Sequence, residues 1–228
     1  MSNKVYLLLA GVNGAGKSTL YNIAGSYGPI FPFCDSNMFQ ELPLVNSDNI
    51  VRELGDWRDA TTQFAAGKIA AKKIRDFLEG GVSFTQETTL SGRSILRNID
   101  TAKANGYKVG ILYVGLESAD IAKERVGIRV SRGGHGIPDE LVERRYGNSF
   151  ENLNKIMRKC DGVLLYDNSS DKGFRQVAEF DGQHLKMIGD YVQLPDWIKS
   201  RNEMPVVKTC EKTVENIKKD VWDLDIDF

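Results

Sequence analysis

Residues 5–20 read VYLLLAGVNGAGKSTL, and this stretch decides the fold. An apolar run, Val5-Tyr6-Leu7-Leu8-Leu9, enters a glycine-rich loop, and Lys17-Ser18 opens a helical pattern. Gly11 to Ser18 satisfies G-x-x-x-x-G-K-[ST] in full, in the strand-to-helix context that this motif requires. Glycines let backbone N–H groups turn inward as an anion nest, and the helix N-terminus adds partial positive charge. On this reading Asn13, Gly14, Ala15, Gly16, Lys17, Ser18 and Thr19 cradle a nucleoside triphosphate. Lys17 reaches the β- and γ-phosphates, and the Ser18 hydroxyl is the metal ligand, for Mg²⁺. A dinucleotide-type glycine turn would explain the glycines but not the Lys-Ser-Thr that follows them.

Outward from the cradle, apolar runs alternate with longer helical patterns, the signature of a mainly parallel α/β sheet. Strands are expected at Val5–Leu9, Leu42–Val45, Val82–Gln86, Lys108–Val114 and Gly162–Tyr166. Helices are expected at Ser94–Ala104, Ser118–Arg129 and Pro138–Met157. A further helix carries Ala60, Phe64, Gly67, Ala71, Ile74 and Leu78 as its sheet-packing face and ends at Gly80-Gly81, a C-cap signal. The fold class is therefore α/β, a P-loop NTPase fold with a central sheet flanked by helices. Residues 1–188 form the P-loop domain, with a lid at about 125–146. Residues 189–228 form a helical extension, with an amphipathic helix at Thr213–Trp222 and an acidic end. Residues 27–41, with two prolines and three phenylalanines, read as an inserted loop.

The bulk numbers narrow the function. The chain has 228 residues, with 30 basic and 31 acidic side chains and a net charge of −1. Such a balance supplies no global field for a long nucleic acid or an anionic membrane, so anion recognition is local. Three cysteines without a C-x-x-C pair fit a reducing compartment. The apolar run Val5–Ala10 is too short for a signal core or a membrane span. A cytoplasmic protein is expected.

A triphosphate cradle leaves the destination of the phosphoryl group open, and the acceptor side turns on carboxylates. FTQETTLSGRS, residues 84–94, places Glu87 and Thr88 at the end of a strand. A carboxylate there is costly unless it is paired or faces a ligand. VNSDNI, residues 45–50, places Asp48 just beyond another strand. If both strands are parallel to the first, Asp48 and Glu87 lie on the cradle's own rim, where open α/β sheets bind ligands. One carboxylate would deprotonate an attacking hydroxyl, and the other would hold acceptor hydroxyls or a metal-bound water. Asp48 also suits a helix N-cap. Leu90-Ser91-Gly92-Arg93-Ser94 is similar to the LSGGQ signature of transporter ATPases, but Arg93 and Ser94 replace its Gly-Gln. Ser91 reads as the cap of the following helix.

Arg125, Arg129 and Arg132 precede Gly133-Gly134-His135-Gly136-Ile137-Pro138, and Arg144-Arg145-Tyr146 follow. A helix, a glycine loop and a second helix bearing arginines suit a closing lid. Arginine forks pair with phosphate oxygens, and closure excludes water. The alternative is a surface hairpin with Arg144 and Arg145 paired to Asp139, Glu140 or Glu143, and His135 reads as a loop residue with a local hydrogen bond.

Together GVNGAGKSTL, VNSDNI, FTQETTLSGRS, AKANGYKV, ERVGIRVSRGGHGIPDELVERRYGNSFENL and YDNS resemble the zeta-toxin family of P-loop kinases, in its compact branch described as predicted ABC-type ATPases. The resemblance covers roughly Lys4 to Ser169. It implies ATP- and Mg²⁺-dependent phosphorylation of a UDP-activated amino sugar, typically UDP-N-acetylglucosamine at its 3′-hydroxyl, and control by a small antitoxin protein. It places the base at Asp48, the sugar-contacting residues at Glu87 and Thr88, and the phosphate-binding lysine at Lys17. Arg132 and Arg145, with Arg129 as substitute, take the roles of the lid arginines. Other readings are a kinase for a nucleoside, an RNA end or an antibiotic, and a regulatory ATPase without phosphoryl transfer.

Overall fold

A computed structural model describes residues 4–24, 30–189, 193–199 and 206–207. The C-terminal helix expected at 213–222 lies outside the described residues. Among the described residues, eight strands form one sheet: β1 (Val5–Gly11), β2 (Leu44–Val45), β3 (Phe84–Thr88), β4 (Lys108–Gly115), β5 (Gly162–Asp167), β6 (Arg175–Phe180), β7 (Leu185–Met187) and β8 (Val206–Val207). The order across the sheet is β2-β3-β1-β4-β5-β6-β7-β8. The first five run parallel, and β6 and β7 add in antiparallel fashion. The helices are α1 (Lys17–Ala24), α2 (Ser36–Glu41), α3 (Ser47–Leu54), α4 (Ala60–Gly80), α5 (Ser94–Ala104), α6 (Ala119–Ser131), α7 (Asp139–Met157) and α8 (Asp196–Lys199).

Strand alternation builds two cores. Tyr6, Leu8 and Ala10 of β1 face one cluster with Ile74 of α4, Ile99 of α5 and Leu153 of α7. Val5, Leu7 and Leu9 face the other, with Leu20 of α1, Phe39 of α2 and Val126 of α6. Every β1 residue is buried, as a parallel strand covered on both faces must be. The α/β expectation therefore holds, and α5 has its expected bounds.

Four details depart from expectation. The buried seam of α4 is Ala66, Ala70, Ile74 and Leu78, whereas Phe64 is 65% exposed. The helix has small residues on several sides, so spacing placed Ile74 and Leu78 correctly but not Ala66 and Ala70. β3 begins two residues late because Gly81, at φ 70°, and Val82 both donate backbone N–H groups to Phe77 O in closing α4. Ser91 pairs with Thr89 Oγ1 at 2.8 Å, and α5 starts without a side-chain cap. The inserted segment sends Phe31 into a notch left by Gly110 and Gly162, which are register partners near the amino ends of β4 and β5. That is the rim opposite the cradle, so the described part of this segment packs the core, away from the acceptor side.

Candidate active site

Between β1 and α1 the chain turns through residues that have no room for side chains. Gly14 and Gly16 adopt φ of 76° and 91°. A Cβ on Gly14 would lie 2.7 Å from the Ala122 carbonyl oxygen, and one on Gly16 would lie 2.7 Å from Asn168 Nδ2. Only glycine tolerates both the conformation and the approach. Asn168 Nδ2 donates to Ala15 O at 3.0 Å, and Arg125 Nη1 donates to Asn168 O at 2.7 Å. Arg125 is thus spent on tying α6 and the loop after β5 to the cradle. Lys17 is 8% exposed and donates from Nζ to Val12 O at 3.1 Å. Ser18 and Thr19 follow on the exposed start of α1.

β3 pairs with β1 so that Glu87 stands beside Leu9 at the carboxyl rim. Its carboxylate turns toward the cradle. Oε1 lies 3.7 Å from Lys17 Nζ, and Oε2 accepts from Ser18 Oγ at 3.3 Å and from Asn46 Nδ2 at 2.7 Å. Thr88 Oγ1 accepts from Leu90 N–H at 3.0 Å, and Leu90 itself is buried at φ 59°. A leucine in the left-handed region is strained. Asn152 of α7 holds the turn by donating to Leu90 O at 2.7 Å. Thr88 therefore shapes the loop beneath Glu87.

Asn46, absent from the sequence reading, is the N-cap of α3. Its Oδ1 accepts from Asp48 N–H at 2.8 Å and Asn49 N–H at 3.3 Å. With the cap position taken, the Asp48 side chain is released from that duty. Its charge reaches Lys17, His135 and Arg145, favouring the protonated form of each. Asp48 and Glu87, 39 positions apart in the chain, thus both act on the ammonium of Lys17. Burial nonetheless holds Lys17 below its ordinary pKa, with Glu87 and Asp48 opposing that shift and Arg129 and Arg145 reinforcing it.

Side chains of α6, α7 and the loop between them lie at the same rim. Arg145 Nη1 donates to Asn13 Oδ1 at 2.9 Å, bridging α7 to the cradle. Desolvation depresses the Arg145 guanidinium, with Asp48 opposing. Arg129 has Nε and Nη2 buried without a partner, and His135 has Nδ1 in the same condition. The two Arg129 nitrogens are N–H donors of the kind that pair with anionic oxygens. His135 lies 5.1 Å from the Trp57 ring, and burial lowers its pKa below 6.5. Gly136 packs against Trp57 so closely that a Cβ would meet Cη2 at 2.8 Å. Arg132 is the exposed C-cap of α6 and stands outside this group. Of the two lid arginines that the resemblance put forward, Arg145 reaches the cradle and Arg132 stays exposed, while Arg129, the substitute, acts on Lys17 together with Arg145. Glu143 pairs with Lys123 at 3.6 Å, leaving Arg144 exposed.

A five-stranded parallel core, a glycine cradle ending in Lys-Ser and a lid of two helices define a nucleotide-binding P-loop protein of kinase-like fold. The pattern of the family described as Zeta toxin matches residues 46–175, more than half of the chain. The protein belongs to the zeta toxin family. That match begins beyond the cradle, which is therefore a separate observation. An uncharacterized protein of Haemophilus influenzae is 31% identical over 146 residues, covering 64% of this chain and 94% of its own. Among solved structures, a chain of the AvrRxo1-ORF1:-ORF2 complex with ATP superposes with a TM-score of 0.59 at 16% identity, over 79% of this chain and 59% of its own. The PezAT toxin–antitoxin system of Streptococcus pneumoniae gives 0.56 at 17% identity, over 77% and 71%. The chain thus spans about three fifths of the AvrRxo1 chain, and these two likenesses establish the fold. Among the described residues no helix is long and apolar enough to cross a membrane.

Proposed function

We propose that the protein is an ATP- and Mg²⁺-dependent kinase that phosphorylates a hydroxyl of a small acceptor, a UDP-activated amino sugar such as UDP-N-acetylglucosamine, acting in the cytoplasm as the toxin partner of a small antitoxin. The observation that carries this reading is the meeting of Asp48, Lys17, Arg129 and Arg145 at one rim. A carboxylate facing the phosphate cations can serve as base for an incoming hydroxyl or for water, and exclusion of water by a lid favours the hydroxyl. Membership of the zeta toxin family supports the acceptor class, and the PezAT likeness is in keeping with a toxin–antitoxin role.

In this mechanism the cradle and Lys17 hold the triphosphate. Asp48 accepts the proton of the acceptor hydroxyl as its oxygen bonds to the γ-phosphorus, while the bond from that phosphorus to the β–γ bridging oxygen breaks and ADP leaves. Arg129 and Arg145 meet the charge on the transferring phosphoryl group, where preformed donors in a dry site count most. Ser18 supplies a hard oxygen ligand of the kind Mg²⁺ takes beside phosphate oxygens. Bound there, the ion would offset charge on the β- and γ-phosphates. The lid keeps water from the same phosphorus.

The test is incubation with ATP, Mg²⁺ and a panel of UDP-sugars, nucleosides and RNA ends, read by mass spectrometry. A phosphate gain on a UDP-amino sugar is the expected result. A gain only on another acceptor would move the substrate class, and ATP turnover with no modified acceptor would replace the kinase with a regulatory ATPase.

A further inference from the structure

Residues 193–199 lie beyond the stretch that the family pattern matches, which ends at residue 175, yet they are joined to the site. Trp197 of α8 is 7% exposed. Its ring lies so close to the end of β4 that a Cβ on Gly115 would meet Cζ2 at 2.3 Å. Two more contacts fix the segment: Arg175 Nη1 donates to Gln193 O at 2.9 Å, and Asp196 N–H donates to Glu117 Oε1 at 2.9 Å. An indole is a large apolar body with one polar handle, and both are used here. Nε1 donates to Oδ1 of the buried Asp167 at 3.1 Å, one residue before the Asn168 that holds Ala15 O. The ring packs against Phe150 of α7, with centroids 5.5 Å apart, and Phe150 meets Tyr146 edge-on at 4.8 Å. Tyr146 directly follows Arg145, the residue that α7 extends to Asn13.

We infer that Trp197 is a positioning residue: it buttresses α7 and so sets Arg145 against the cradle. Two paths leave the indole and end two positions apart on the cradle, at Ala15 through Asn168 and at Asn13 through α7 and Arg145. Close-packed rings fix the seat of a helix because a dense interior transmits a displacement instead of absorbing it. Arg145 has particular need of such support. Its guanidinium stands on a long stem with much rotamer freedom and is desolvated at the rim, so its aim depends on where α7 places its backbone. The inference rests on the kinase reading for its readout, and it adds a residue from outside the family pattern.

The experiment is a double-mutant cycle on transfer from ATP to UDP-N-acetylglucosamine, measured per folded molecule. Trp197→Ala should lower kcat by about 10-fold or more in otherwise wild-type protein, as misplacing a catalytic group does. In an Arg145→Ala background, where no guanidinium is left to aim, the same change should cost less than about twofold. Gly115→Ala keeps Trp197 in the chain but pushes its ring off the strand, so it should reproduce both results and be nearly silent in a Trp197→Ala background. Trp197→Phe, which keeps a ring and loses the N–H, should give a smaller loss that again needs Arg145. Should Trp197→Ala fail to fold, these two milder variants run the same cycle. Losses of equal size with and without Arg145 would make Trp197 a structural residue only and overturn the inference, as would wild-type kcat in Trp197→Ala. Absence of transfer by wild-type protein would instead sink the kinase reading, and the inference with it.

Discussion

Two rims of one sheet place acidic residues in opposite circumstances. At the amino rim, Asp161 takes ion pairs from Lys103 at 2.6 Å and Lys108 at 3.1 Å and a hydrogen bond from Val109 N–H at 2.8 Å. Burial works against its charge, but these partners outweigh it and hold the carboxyl below its ordinary pKa. Nearby Phe31 fills the notch between Gly110 and Gly162. At the carboxyl rim, Asp48 has no direct ion pair among the described residues, Arg129 and His135 carry unpartnered buried nitrogens, and Leu90 is held at φ 59°. Asp161 is thus paired within the fold, whereas Asp48 is left without an ion pair among the described residues, as suits the acceptor base proposed above.

The contrast can be broken at either rim. The largest effect is expected from Lys17→Ala, which should cut phosphoryl transfer by about 10³-fold or more through loss of the cradle's cation. Unchanged turnover would remove the cradle from the chemistry. At the amino rim, Phe31→Ala should cost about 3 kcal/mol or more of stability by emptying a glycine-lined notch. Denaturant melts would show it, and transfer per folded molecule should persist. Arg129→Ala should lower kcat by about 10²-fold, whereas Arg132→Ala should stay within about threefold of wild type. Equal losses in the two would mean that burial does not distinguish the lid cations.

The smallest effect concerns acid. Asp161→Asn should lower stability at neutral pH by about 1 kcal/mol. Because the folded-state pKa of Asp161 is depressed, its contribution is fully present above the unfolded value of about 4 and is lost as pH falls through the lower folded value. Wild-type and variant melting temperatures should therefore converge in acid. A constant gap down to the lowest pH would contradict the assignment.

Much of this was legible in the sequence. β1, β4, β5 and the cradle announce themselves because buried parallel strands are long apolar runs and the glycine motif has few other uses. β6 and β7 were not foreseen. Their Arg175, Glu179 and Lys186 break up the apolar runs by which the parallel strands stand out, and their pairing is antiparallel. The two carboxylates could be placed on one rim from strand order, but their directions could not. Asn46, Ser47 and Asp48 are all good caps, and only the fold shows that Asn46 takes the role and leaves Asp48 free. Choosing Arg129 over Arg132 likewise required knowing where α6 turns its side chains.

The most direct test separates binding from transfer at Asp48. Nucleotide affinity by fluorescence titration and transfer to a UDP-amino sugar by mass spectrometry should be measured on Asp48→Ala and wild-type protein side by side. A loss of transfer of about 10²- to 10⁴-fold, with ATP affinity within about threefold, is the predicted outcome. Full transfer by the variant would contradict the account.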